Sequence, residues 1–299
     1  MSTDPLSELQ QTLAGARSIL AAQTRLIDLC LHRLKEIRDG MAPLPNGANR
    51  RVLEVVLTMI HVSGVSSHSI LKLTDEMNLQ ARDGYPIARS IVETVINIAF
   101  IMAGGEAVAE QADRHAQQKA FRDLKRTSSI AGYTVSVGWT GKLTSEDEAR
   151  LSALVAEFTT KSGRERHDWT ESNLEHRLAA IDKRFGHRVM TLIHPAFLMI
   201  YRHASEILHG TYFGALFFWG VTTPGQRPST ADELKIVLGH HQLAVAMSVI
   251  LANTALIDCV GQYFDYFEVS AFSDDLLRQL EKLPLIKNGL ASQPPSGQV

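Results

Sequence analysis

Apolar and polar positions alternate with the period of an α-helix over most of the chain. From Pro5 to Gly40, leucine and isoleucine recur every three or four residues, while charged and amide side chains occupy the other positions. This spacing predicts one long amphipathic helix that ends at Gly40, before the turn Pro43–Pro45. A second apolar series predicts a helix from Arg50 to about Leu79, with a break or kink at the small residues Ser63–Ser67.

The third predicted helix, from Ile87 to Met102, is apolar on nearly all sides. It follows Pro86, a residue that the first turn of a helix tolerates, and Gly104-Gly105 is predicted to end it. A helix of this composition is buried, so its polar residues need partners inside the protein. These polar residues recur every four positions and share one face: Arg89, Glu93 and Asn97.

The rest of the chain continues the helical pattern. Between Ser128 and Thr144, three glycines interrupt a stretch without a sustained period, so we expect a loop with local extended structure. No alternating run rises above the helical background, and the predicted fold is an all-α multi-helix bundle. Its further helices are predicted at Glu106–Arg126, after the cap Thr144, at Leu174–Phe185, from Pro195, and from Thr230 to about Phe267.

The pattern divides the chain into three parts. Residues 1–45 form the N-terminal amphipathic helix, 46–270 the helical bundle domain, and 271–299 a short helix followed by a tail that we expect to be disordered from Ser292. The apolar stripe of the N-terminal helix needs a partner surface. We therefore expect this helix to flank the bundle or to mediate a homodimer.

A second polar cluster lies in an otherwise apolar helical segment. Tyr201, Ser205 and His209 are four residues apart and stack on one face. Arg202, Glu206 and His209 form the adjacent row. A histidine exchanges protons near neutral pH, so His209 is a candidate general acid or base. Arg202 is a candidate for holding a phosphate or a carboxylate.

Both polar clusters also have structural interpretations, which stay open. Arg89 and Glu93 fit an ion pair that ties two helices together, or one of them orients a catalytic group on a facing helix. His209 lies beside Gly210, where a buried helix end can hold a hydrogen-bonded structural histidine. We expect the two polar helices to pack face to face in the centre of the bundle.

Composition narrows the functional classes. The chain has 299 residues, of which 45% are hydrophobic and 21% charged, and its formal net charge is −2. These values are typical of a globular protein and indicate no overall attraction to nucleic acid or anionic lipid. The segment Lys161–Arg188 is locally basic and contains Trp169, but its interleaved acidic residues favour a solvated face. Cys30 and Cys259 fit reduced core residues of a cytoplasmic protein.

Neither a membrane segment nor a metal site is expected. The N-terminus carries no signal-peptide pattern, and the apolar run Leu243–Ile257 is shorter than the roughly 20 residues of a span, which favours a core helix. His240 and His241 are adjacent and point to different helix faces, and no metal-binding spacing accompanies them. We therefore expect no metal or other cofactor.

The two polar clusters resemble the hallmark motifs of a bacterial family of helical domains of unknown function. The first motif, Arg-Ser-x-x-Glu-x-x-x-Asn, corresponds to residues 89–97. The second motif, a tryptophan followed downstream by Tyr-Arg-x-x-Ser-x-x-x-His, corresponds to Trp169 and residues 201–209. The resemblance covers about residues 50 to 265 and implies no established activity.

The second motif is also similar, more distantly, to that of HEPN domains. These helical bundles often act as metal-independent ribonucleases in toxin and phage-defence systems. Their signature is an arginine and a histidine on one helix with four to six residues between them, and Arg202 and His209 are separated by six. The resemblance implies that Arg202 holds the scissile phosphate and that His209 acts as general acid or base, while the 2′-hydroxyl of RNA attacks.

The resemblance implies roles for the other polar residues as well. Ser205 and Tyr201 orient the phosphate, and Glu93 positions the arginine or the histidine. The supporting residues are Arg89, Asn97, Glu206 and Trp169.

The leading hypothesis is accordingly a HEPN-like endoribonuclease that acts on RNA as a homodimer. An operon-encoded protein is a further candidate partner. The alternative is a non-enzymatic interaction or ligand-sensing module whose polar stripe is structural or binds a small anion. A third possibility is a helical enzyme acting on a small molecule in an interior pocket. A catalytic row needs an open cleft in which Arg202 and His209 reach a common point, whereas a structural row is sealed and fully paired.

Overall fold

The computed structural model describes residues 4–123, 125–138, 143–166, 168–221 and 227–291. Within these ranges, ten helices and one two-stranded hairpin confirm the predicted all-α class. The segment from Ser292, predicted above to be disordered, lies outside the described residues. The helices are α1 (Pro5–Arg38), α2 (Arg50–Leu73), α3 (Ala81–Asp123), α4 (Ser145–Glu157), α5 (Leu174–Phe185), α6 (His187–Leu208), α7 (Tyr212–Phe218), α8 (Ala231–Tyr263), α9 (Phe267–Leu280) and α10 (Pro284–Ala291).

The two longest predicted amphipathic or apolar helices begin at side-chain caps. At the start of α1, the Asp4 carboxylate accepts the Leu6 N–H. At the start of α8, Thr230 and Glu233 form the predicted reciprocal capping box. The first helix ends before Gly40, whose φ of +76° lies in the left-handed region that glycine favours. Both helices are confirmed close to their predicted bounds.

Of the two predicted helix breaks, the one at Ser63–Ser67 is wrong and the one at Gly104-Gly105 is present as a kink. Helix α2 runs without interruption through Ser63–Ser67, because its small residues allow close packing: a Cβ added to Gly64 would lie 3.3 Å from the Ile27 side chain of α1. Helix α3 consists of two helical parts that meet at the predicted boundary Gly104-Gly105. Only Gly105 departs from helical geometry there, with a φ of 70°, so that α3 kinks and then resumes.

The segment predicted as a loop contains a β-hairpin. Strands β1 (Lys125–Ile130) and β2 (Tyr133–Gly138) pair antiparallel. Ala131 and Gly132 join them, both at positive φ, as a two-residue hairpin turn requires. Exposed apolar side chains such as Val135 show that the hairpin does not pack against the core. In β2, apolar and polar residues alternate from Tyr133 to Val137, but this run is only five residues long, and Tyr133 and Val135 are exposed.

Helix α8 lies at the centre of the protein, and α1, α3 and α6 pack around it. One continuous apolar core extends from α1 to α9, with residues such as Leu20, Ile98 and Ile250 fully buried. The N-terminal helix, expected to flank the bundle or to mediate a homodimer, packs within this core. Its apolar stripe is therefore covered by α2 and α8 of the same chain.

Two of the described helices, α3 and α8, are long and apolar enough to cross a membrane by length and composition. In α8, 78% of the most apolar window is buried inside the fold, compared with 50% in α3. Packing at the centre of the core explains the apolar character of α8, including the expected core helix Leu243–Ile257.

Helices α3 and α6 pack against each other in antiparallel orientation. Near the N-terminal end of α3, the Arg82 guanidinium donates to the carbonyl of Ile207, at the C-terminal end of α6, over 3.4 Å. Two turns further along α3, the guanidinium carbon of Arg89 lies 4.3 Å from the centre of the Tyr201 ring. The predicted packing of α3 against α6 is confirmed, but within the described residues their polar faces meet only at Arg89 and Tyr201, and α8 lies at the centre of the bundle.

Candidate functional site

A cleft of about 330 Å³ opens between α3, α5 and α6. We call it the α3–α6 cleft. It contains the whole first polar stripe, but only one residue of the second. Its lining residues are Arg89, Glu93, Ile96 and Asn97 of α3, Asp168 and Trp169 of the α4–α5 connection, Leu174 and Arg177 of α5, and Phe197 and Tyr201 of α6.

The guanidinium of Arg89 is held on two sides. Its Nε donates to Glu93 Oε1 over 2.9 Å, as expected for residues one helical turn apart. Its plane lies over the Tyr201 ring, which in turn stacks on Phe197 with 4.3 Å between the ring centres. The ion pair and the aromatic stack therefore fix Arg89 at the wall of the cleft.

Arg177 approaches from the opposite wall and was not predicted as a site residue. Its Nη1 donates to Asn97 Oδ1 over 2.9 Å, and its Nε donates to the backbone carbonyl of Ser172 over 3.0 Å. Both acceptors are neutral, and within the described part of the chain no carboxylate forms an ion pair with this arginine. A half-buried guanidinium thus lines the cleft without a paired negative charge.

The α4–α5 connection closes the cleft. Trp169 is half-buried and packs against Phe100 of α3, with 5.9 Å between the ring centres. Asp168 is exposed at the rim. The preceding His167 lies outside the described residues. Trp169, predicted as a supporting residue, is therefore brought to the first stripe, and Asp168 joins it without having been predicted.

The remaining predicted residues lie away from this cleft. His209 is the exposed C-terminal cap of α6, eight residues beyond Tyr201, which corresponds to about 12 Å along a helix. Arg202 is exposed, and its guanidinium carbon lies 5.8 Å from the centre of the Phe213 ring. Ser205 is half-buried between these positions and does not line the cleft.

Two predicted relationships therefore change. Glu93 contacts Arg89, so the expectation that it positions Arg202 or His209 is not met by this arrangement. Glu206 accepts a hydrogen bond of 2.6 Å from the Thr211 hydroxyl, which ties the end of α6 to the start of α7. Of the nine predicted residues, five thus line the cleft, Arg202 and His209 are exposed near the end of α6, Glu206 makes a structural contact, and Ser205 belongs to none of these groups.

His203 and His241 belong to the aromatic packing between α6, α7 and α8. His203 stacks on Phe217 with 3.9 Å between ring centres, and burial together with the nearby Arg202 charge lowers its pKa. His241 is buried, as the structural interpretation of the His240-His241 pair requires. In the described ranges, no three histidine, cysteine, aspartate or glutamate side chains are grouped to hold a metal ion.

Sequence reasoning missed Arg177 and Asp168 for an identifiable reason. Both lie in the locally basic segment Lys161–Arg188, which was interpreted as a solvated face because its charges alternate. Their common neighbour Trp169 was the available signal, since it is a large aromatic residue in an otherwise polar stretch. Only the packing of α5 on α3 turns Arg177 toward Asn97.

Comparison with known proteins identifies the family to which the chain belongs. Residues 55–226 match the family of unknown function DUF5677, and this region contains every lining residue of the α3–α6 cleft. The chain belongs to this family. None of the curated proteins and none of the solved structures compared with the chain matches it.

Proposed function

We propose that this protein is a ligand-binding module that holds a small anion in the α3–α6 cleft. The observation that carries the proposal is Arg177, whose hydrogen bonds go to the neutral oxygens of Asn97 and Ser172. A charged group withdrawn from water is unfavourable unless an opposite charge approaches it. A bound anion would supply that charge, and the donors of Arg89 lie on the same cleft.

The other charges of the cleft favour one kind of anion. Glu93 is already paired with Arg89, and Asp168 is exposed at the rim. Two arginines and two carboxylates bring the formal charge of the lining to zero. A monoanion such as a carboxylate therefore meets less repulsion there than a phosphate dianion does.

Arg177→Gln tests this proposal. We expect the affinity for acetate, measured by calorimetry at constant ionic strength, to fall roughly tenfold or more, because a charge-assisted hydrogen bond contributes about 1.5–3 kcal/mol. The unliganded variant should be at least as stable as the wild type, since the substitution removes an unpaired charge. Lys183→Gln is the matched control, because it removes a positive charge from an exposed position of the same helix.

The opposite pattern would identify Arg177 as a structural residue. In that case Arg177→Gln would unfold at a clearly lower urea concentration than Lys183→Gln, and acetate would affect all three proteins equally. Inorganic phosphate serves as the second probe. If phosphate binds more tightly than acetate, the cleft does not favour the monoanion that the zero formal charge of its lining predicts.

A second candidate function is the HEPN-like endoribonuclease, in a toxin or phage-defence role. The observation that favours it is the exposure of both Arg202 and His209 at the end of α6, next to the exposed aromatic residues Tyr212 and Phe213. Unpaired bases of RNA stack on such rings. In this proposal Arg202 holds the scissile phosphate and His209 transfers the proton, so that no metal is required.

His209→Ala should reduce cleavage of a mixed RNA pool, in the presence of EDTA, to the level of a protein-free blank. Arg202→Ala should do the same. His194→Ala is the matched control, since this histidine is exposed on the same helix but far from its C-terminal end. All three variants should keep the wild-type melting temperature, because the replaced side chains are exposed.

Glu93→Gln separates the two candidate functions. Because Glu93 contacts Arg89 and not His209, the substitution should alter acetate binding and leave RNA cleavage unchanged. If Glu93→Gln and His209→Ala reduce cleavage equally, the α3–α6 cleft and the end of α6 belong to one catalytic site. If the folded wild-type protein does not cleave RNA, the ribonuclease proposal is wrong.

A further inference from the structure

A second cavity adjoins the α3–α6 cleft and differs from it in character. It has a volume of about 420 Å³ and lies between α2 and the part of α3 from Asn97 to Ala116. We call it the apolar chamber, because most of its inner surface is apolar, with Val55, Met59 and Ile101 among the lining residues, although half of these residues are polar or charged. Asn97 and Trp169 line both cavities, so the polar cleft and the apolar chamber meet at these two residues.

The charges around the apolar chamber are compensated by two arginines, since Arg50 lies 3.7 Å from Glu54. Arg51 forms ion pairs with Asp113 and, over 3.2 Å, with Glu54. Burial lowers the pKa of His115, which favours its neutral form at pH 7. Among the described residues, the chamber therefore offers no unpaired charge to a ligand, in contrast to the cleft with Arg177.

From this juxtaposition we infer that the ligand is an anionic amphiphile, a carboxylate with an apolar acyl or alkyl chain. The carboxylate lies between Arg177 and Arg89 in the α3–α6 cleft, and the chain passes Trp169 into the apolar chamber. Ligand sites of this kind combine a mostly apolar wall with a few polar groups that orient the molecule. This inference rests on the proposed anion site and extends it to the whole ligand.

Octanoate and acetate are the probes, titrated into the full-length protein and followed by calorimetry. Each methylene group removed from water contributes about a fourfold gain in affinity. If three or more methylene groups enter the chamber, octanoate should bind roughly 60-fold tighter than acetate. Equal affinities for the two carboxylates would overturn the inference while leaving the anion site in place.

Ala116→Phe places a ring at the wall of the chamber, at an exposed position where the fold tolerates a larger side chain. We expect this variant to weaken octanoate binding at least tenfold and to leave acetate binding unchanged. Ala120→Phe is the matched control, since it adds the same ring one turn further along α3, away from the chamber. Ala112→Leu is a second variant that fills the chamber, and it should also weaken octanoate binding.

The variants distinguish failure of the tail site from failure of the anion site. Arg177→Gln should weaken both probes, because both carry the carboxylate. If it weakens neither, the anion site is wrong. If it weakens both while Ala116→Phe and Ala112→Leu leave octanoate unaffected, only the apolar chamber is excluded. Octyl phosphate provides the last comparison. If it binds more tightly than octanoate, the head group of the ligand is a phosphate and not a carboxylate.

Discussion

Replacing His241 with alanine should lower the free energy of unfolding by about 3–5 kcal/mol. The imidazole is buried on α8 and bridges two other helices. Its Nε2 lies 3.1 Å from the Phe218 carbonyl of α7, and its Nδ1 lies 2.8 Å from the Tyr85 hydroxyl of α3. A carbonyl only accepts, so Nε2 carries the proton, and Nδ1 accepts the proton of the tyrosine hydroxyl. Alanine would leave both partners unpaired and create a cavity.

Urea unfolding at pH 7.5 measures this loss, with His240→Ala as the control. His240 is the exposed neighbour, and its replacement should leave the stability nearly unchanged. Burial lowers the pKa of His241, so the folded protein opposes protonation of this ring. Its contribution to stability should therefore be lost as the pH falls below about 6.5, the unperturbed value. Equal stabilities of the two variants would show that the hydrogen-bonded bridge contributes nothing.

Asp258→Asn should have the opposite effect and stabilise the protein, by up to about 3 kcal/mol at pH 8. Burial raises the pKa of Asp258 to about 6, although the Arg188 guanidinium, 3.0 Å away, favours the charged form. In the unfolded chain the pKa is about 3.9. The folded state therefore binds more protons between these two values, and the carboxylate destabilises it fully only above pH 7.

The gain from Asp258→Asn should accordingly shrink as the pH is lowered from 8 to 4.5. Urea unfolding midpoints of the variant and the wild type, measured at several pH values, give this difference. The contributions of the other titrating groups are the same in both proteins and cancel in the difference. Asp274→Asn is the control, because Asp274 contacts the same arginine but is more exposed. A variant that is less stable than the wild type at pH 8 would show that the ion pair with Arg188 outweighs the burial of the charge.

The apolar and polar periodicity predicted the helices well because helical geometry is local. The spacing of four residues alone placed Arg89, Glu93 and Asn97 on one face, and their common wall in the α3–α6 cleft agrees with this. The same argument placed the capping box of α8. The β-hairpin was predicted only as local extended structure within a loop, because just one of its strands carries a short alternating run of apolar and polar residues.

Tertiary structure decided which polar residues share a site. Helical spacing put Tyr201 and His209 on one face, but spacing does not determine where a second helix crosses that face. The antiparallel register of α3 on α6 brings Arg89 to Tyr201 and leaves His209 about two turns away, at the helix end. Arg177 reaches Asn97 from α5 across 80 positions of sequence.

The sequence by itself thus determined the helical class, most of the helices and the first polar stripe, since each depends on contacts within a few turns. The α3–α6 cleft and the adjoining apolar chamber arise where α2, α3, the α4–α5 connection, α5 and α6 pack together. Such packing depends on the shapes of facing side chains over long sequence distances. For that reason, only the folded chain brings Arg177, Asn97 and Trp169 to the same place.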